Sequence, residues 1–181
     1  RTNYMNNDIS SSQQFSYPFA GLQQIAHDIL GHAKNGGASA CEASVSDGCG
    51  LNVTVRQGAV ETIEHARDKG LSVTVYIGQK RGHASTSDFS PQAIRDTVAA
   101  ALSIARYTAA DDCAGLADAE LLATSFPDLG LYHPWELSVE QAIELAQGCE
   151  AAALAADKRI TNSEGATISI NISRFVYANS Y

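Results

Sequence analysis

The stretch His27-Asp28-Ile29-Leu30-Gly31-His32 places two imidazoles and a carboxylate close together near the start of the chain. These are the residue types of a zinc peptidase, with histidines to hold the metal and an acid to activate water. Such sites set two histidines four residues apart on a helix, so that both rings leave from one face. Here the interval is five. At roughly 100° per residue the two side chains diverge by about 140°, and no further Cys, His, Asp or Glu stands where a third ligand would. His27, Asp28 and His32 therefore read as a decoy metal motif, and no metal is expected between them. His65, His83 and His133 are each isolated. Ser85, Ser87, Ser90 and Cys113 are chemically suited to attack, but nothing fixes a histidine beside any of them. Neither a GxSxG elbow nor a glycine-rich phosphate loop is present. No catalytic residue and no bound cofactor is expected in this chain.

The bulk chemistry narrows the classes further. The 181 residues carry a formal net charge of −8, and their 12 lysines and arginines are scattered. Sequence-independent binding to nucleic acid needs those charges concentrated, so no direct nucleic-acid contact is expected. Apolar residues make up 45% of the chain, enough for a real core, and no run is long enough to cross a bilayer. The first residues, RTNYMNND, do not read as a secretory signal. The cysteines Cys41, Cys49, Cys113 and Cys149 lack zinc-knuckle spacing. They fit free thiols in a cytoplasmic protein, although the spacing also leaves a Cys41–Cys49 disulfide open.

Residues 1–18 read as an irregular extension. From Phe19, apolar Leu22, Ala26, Ile29 and Ala33 recur at helical spacing and predict an amphipathic helix that ends at Asn35-Gly36-Gly37. Strands follow, each alternating apolar and polar residues: ACEASVS, LNVTVR, a less regular one after Gln57-Gly58, LSVTVYI and HASTSD. Asp47-Gly48 with Gly50, Gln57-Gly58, Asp68-Lys69-Gly70 and Gly78–Gly82 are the predicted turns. Short links favour antiparallel pairing. Ser90-Pro91 opens a second helix, and Ser138 with Gln141 forms a capping box on a third. A short helix is expected from Ala117 to Thr124. The alternation from Ile168 to Tyr177 gives a last strand that stops at NSY, as though the chain continues past residue 181. The fold class is α+β, a four- or five-stranded antiparallel meander packed against amphipathic helices. Either Leu51–Arg56 or Ser163–Asn179 is the candidate edge strand.

The stretch RQGAVETIEHARDKGLSVTVYIGQKRGHASTSD resembles the first block of the TldD/PmbA family. ALSIARYTAADDCAGLAD and LYHPW are similar to its PmbA (TldE) branch, as are ITNSEGA and the closing YANS. The resemblance covers residues 19–181 and implies the N-terminal α/β domain of a longer protein whose C-terminal domain is absent. In that family the TldD-like subunit carries an HExxxH metal site in a later domain, and the PmbA-like subunit pairs with it without the motif. His27 lies outside that region, so no ligand carries over. What carries over is a set of turn and sheet positions: Gly58, Gly70, Gly82, Ala84 and Thr86.

The resemblance implies a non-catalytic, non-metal-binding partner of a cytosolic metallopeptidase acting in peptide maturation or degradation, linked in the family to DNA gyrase modulation. The metal is expected only in the TldD-like subunit, and the assembly holds the peptide substrate. Self-association of this chain is compatible with that role; membrane attachment is not expected. Two alternatives stay open. One is an independent metallopeptidase with its active site in the missing C-terminal part. The other is a regulatory module that binds gyrase through protein contacts.

Overall fold

The structure, a computed structural model, describes residues 15–123 and 125–181. In chain order the elements are α1 (Phe19–Asn35), β1 (Ala40–Arg56), β2 (Ala59–Ile77), β3 (Lys80–Thr86), α2 (Pro91–Tyr107), α3 (Val139–Ala156) and β4 (Ala166–Asn179). A single 3₁₀ turn, Ala119–Leu121, stands where a helix from Ala117 to Thr124 is expected; Thr124 lies outside the described residues. So do residues 1–14 of the expected N-terminal extension.

The strands form one four-stranded sheet in the order β3-β2-β1-β4. Two-residue turns join β1 to β2 and β2 to β3. Gln57 and Gly58 have φ of 52° and 75°. Two consecutive positive φ values match the right-handed twist of a hairpin, and glycine adopts them without a Cβ clash. β4 returns along the far side of β1. As β1 rises from Cys41 to Thr54, its hydrogen-bond partners on β4 fall from Ser180, just past the strand's end, to Thr167. β1 and β4 are therefore antiparallel.

Two predicted turns do not exist. β1 runs unbroken through Asp47-Gly48 and Gly50, and β2 runs through Asp68-Lys69-Gly70. None of these residues has positive φ, so the tight reversal that Asp-Gly and Lys-Gly suggest cannot form. Tertiary pairing outweighs the local signal. Asp47 is 2% exposed and bonds to groups outside β1. Five predicted meander strands thus merge into three.

The chain divides into two compact units. The first takes the described residues up to Gly48, those of Asp68–Pro127, and Ser173–Tyr181; the second takes Cys49–Arg67 and Asp128–Ile172. Both lie largely within the span 19–181. In the first unit α1 and α2 cover one sheet face. Leu22, Ile29 and Ala33 of α1 and Ile94, Val98 and Leu102 of α2 bury against Ala43, Val45, Val73 and Val75. Ser90 Oγ caps α2 by accepting from Ala93 N at 3.3 Å, with Pro91 in its first turn. Gly82 of β3 lies under α2, and a methyl group there would overlap the backbone of Ala101 and Ala105. Ala84 and Thr86 share that face, opposite Val73 and Leu71. Gly82 is small because a helix packs on it, and Ala84 packs against the same core.

In the second unit α3 begins with the expected capping box. Ser138 Oγ accepts from Gln141 N, and Gln141 Oε1 accepts from Ser138 N. Its inner residues Ala142 and Ala146 are fully buried. Glu150, one turn further on, accepts from the N–H groups of Gln57 and Gly58 at 2.8 Å each. Gln147 Nε2 donates to Gly58 O at 2.8 Å. The hairpin tip is pinned to the helix. Those N–H bonds, Gly58 first, hold the Glu150 carboxyl below the ordinary glutamate range.

Candidate functional site

Strand alternation decides what the first unit offers on the face away from α1 and α2. Odd residues of β1 and β2 point to the core, so Glu42, Ser44, Ser46, Ser72, Thr74 and Tyr76 point away. β3 adds Arg81, His83 and Ser85, directly opposite Tyr76, Thr74 and Ser72. β4 adds Phe175 and Tyr177, which are 68% and 52% exposed.

At one end of this face Glu42 gathers two phenols. Tyr76 Oη donates to Oε1 at 3.3 Å, and Tyr177 Oη donates to Oε2 at 2.7 Å. Partial burial pushes both phenols above the usual tyrosine range, and the Glu42 charge adds to it. Both remain neutral hydrogen-bond donors, which suits them to orienting groups rather than to attacking them. Thr74, 5% exposed, shares a hydrogen bond of 3.1 Å with His83 Nδ1.

Beside this cluster lies a shallow hollow of about 400 Å³, lined by Ser44, Ser46, Lys69, Gly70, Ser72 and Ser85 among others. Ser46 Oγ donates to Gly70 O at 3.4 Å. Lys69 turns its ammonium elsewhere, 5.1 Å from the ring centroids of both Tyr17 and Phe89. The hollow is therefore hydroxyl-rich, with Lys69 the one charged residue in its lining.

The residues singled out from sequence are dispersed. His27 and Asp28 are exposed on α1, and Asp28 Oδ1 accepts from Gln24 Nε2 at 2.8 Å. His32 is half-buried. Gly58 sits in the β1–β2 turn. Gly70 is in mid-strand rather than in a turn, and a Cβ there would meet only Ser46 Oγ, at 3.7 Å. Ser90 is committed as a helix cap. Ser85 and Ser87 border the hollow. Cys41 is buried, and desolvation raises its thiol above the ordinary range; Cys113 and Cys149 are exposed. Sequence reasoning missed Glu42, Tyr76 and Tyr177. Period-two alternation puts Glu42 and Tyr76 on the polar face, but Tyr177 is 135 residues from Glu42 and no local signal joins them.

Residues 41–105 match the family model described as PmbA/TldA metallopeptidase domain 1, and residues 132–181 match that of the PmbA/TldA metallopeptidase central domain. The chain belongs to the PmbA/TldD family. It is 50% identical over 147 residues to the metalloprotease PmbA of Escherichia coli O157:H7, covering 81% of this chain and 33% of that protein. The chain thus spans about a third of the length of that relative. Solved folds agree. A candidate modulator of DNA gyrase from Bacteroides thetaiotaomicron superimposes with a TM-score of 0.67 at 23% identity, over 87% of this chain and 35% of the other. TldE from Thermococcus kodakarensis does so with a TM-score of 0.65 at 13% identity, over 86% and 35%.

A metallopeptidase family raises the question of metal. Among the described residues no three His, Cys, Asp or Glu side chains come together to hold one. The two most enclosed carboxylates, Asp47 and Glu150, already accept from backbone N–H groups. The described residues do not fit a metal. Nor is any described helix long and apolar enough to cross a membrane.

Proposed function

We propose that this chain is part of a TldE-type subunit that binds no metal itself. It works beside a TldD-like subunit that carries the metal, in a cytoplasmic assembly that cuts peptides during maturation or degradation. The observation that carries the reading is the 50% identity to a relative named as a metalloprotease. Beside it, the enclosed carboxylates among the described residues, Asp47 and Glu150, are spent on structure. The chain's own part is to bind and orient. The serine hydroxyls and the half-exposed Tyr177 phenol on the face away from α1 and α2 supply hydrogen bonds of both senses, which suits them to a peptide main chain.

The test mixes the full-length protein with its TldD-like partner and an unstructured peptide, and follows cleavage by mass spectrometry. Cleavage by the pair and by neither protein alone is expected. Steady hydrolysis by this protein alone, with contaminants excluded, overturns the reading in favour of an independent peptidase.

A further inference from the structure

Gly70 is a glycine with no conformational reason to be one. It lies inside β2, its φ is not positive, and a Cβ would meet only Ser46 Oγ at an ordinary 3.7 Å. Glycine in a strand gives up both chain entropy and side-chain packing. Gly82 repays that loss by admitting α2, whereas Gly70 admits nothing in the described structure. What it does create is open space on the strand. Without a side chain at position 70, the hydroxyls of Ser44, Ser46, Ser72 and Ser85 border an open hollow of about 400 Å³. No other described residue engages the hydroxyls of Ser44, Ser72 or Ser85. Close approach by a ligand or another backbone is one of the reasons a strand carries a glycine of this kind.

We propose that the hollow over Gly70 receives the main chain of an extended peptide. Each serine hydroxyl both donates and accepts, as peptide N–H and C=O groups require. No carboxylate and no aromatic ring lines the hollow, and its one cationic lining residue, Lys69, holds its ammonium against Tyr17 and Phe89, so the serine hydroxyls suit backbone rather than side chains. Such a site holds peptides of varied sequence. It deepens the proposed role in peptide handling and rests on that reading, but it is tested by binding and not by cleavage.

The experiment titrates the ¹⁵N-labelled 181-residue chain with an uncharged decapeptide of alternating alanine and asparagine, capped at both ends. Amide shifts are expected at Ser44, Ser46, Gly70, Ser72 and Ser85. Gly70→Val keeps strand propensity and fills the hollow, and is expected to weaken binding at least tenfold with the remaining spectrum intact. Ser72→Ala with Ser85→Ala weakens it less and guards against misfolding of the valine variant. Unchanged affinity in a folded Gly70→Val chain overturns the proposal, as does the absence of shifts around Gly70. Displacement by a neutral oligosaccharide but not by a second peptide also overturns it. Binding here with no cleavage by the assembled pair would refute the peptidase role and leave the hollow standing.

Discussion

Glu42 and Asp47 are five residues apart on β1, and each ties that strand to β4, yet they do so on opposite faces with opposite chemistry. Asp47, under the helices, is 2% exposed. Its Oδ2 accepts from Tyr17 N at 3.1 Å and lies 3.6 Å from Arg174 Nη2. Arg174 also donates to Tyr17 O, and its guanidinium stacks 4.0 Å from the centroid of Phe15. Glu42, on the other face, is held among the described residues by two neutral phenols. A charge removed from water needs a counter-charge and filled hydrogen bonds, whereas a half-exposed one can be satisfied by neutral donors. The covered face is built as a lock, and the open face keeps groups that can exchange partners.

That contrast is most easily broken at Arg174. Arg174→Ala leaves the Asp47 carboxylate buried without its cation and should cost about 3 kcal/mol or more of stability by denaturant unfolding. A loss under 1 kcal/mol would show that the pair contributes little to the fold. Next in size is the pin in the second unit. Glu150→Ala strands the N–H groups of Gln57 and Gly58, and a fall in Tm on the order of 5 °C is expected.

Glu150 also predicts a pH dependence. Its folded carboxyl titrates below its unfolded value, so its stabilisation is complete above the ordinary glutamate range of about 4.3 and is lost as pH falls through the folded value. Glu150→Gln should therefore lower stability at neutral pH and flatten its decline in acid, read from denaturant midpoints across pH. On the open face Tyr177→Phe removes one donor from a partner that Tyr76 and water still serve, and should cost less than about 1 kcal/mol. An effect equal to that of Arg174→Ala would erase the distinction between the faces. Smallest of all, His27→Ala with His32→Ala should change stability by less than about 0.5 kcal/mol. Bound metal, measured by mass spectrometry, should also stay the same.

What could be read in the sequence was whatever residues decide among near neighbours. Ser90-Pro91, the Ser138–Gln141 box and the Gln57-Gly58 hairpin are set within a few positions, and all three form. The Asp47–Gly50 and Asp68–Gly70 signals are equally local and fail, because Asp47 answers to Tyr17 and Arg174 across the fold. The same limit hid the open-face cluster. Alternation places Glu42 on a polar face, but only the return of β4 brings Tyr177 to it. Of the two candidate edges, β4 is the outer strand, and Leu51–Arg56 is enclosed between β2 and β4.

The strand order also sets a schedule for folding. β1, β2 and β3 meet through two-residue turns, so their pairing closes only short loops. β4 must find β1 across a much longer separation, 139 positions from Cys41 to Ser180. Closing a loop of that length costs entropy before any contact rewards it. The three-stranded meander with α1 and α2 can assemble while the rest of the chain is still being synthesised. Until β4 arrives, β1 presents a bare edge and Asp47 lacks its cation. The interval between those events is when this protein is most exposed to mispairing with another nascent copy.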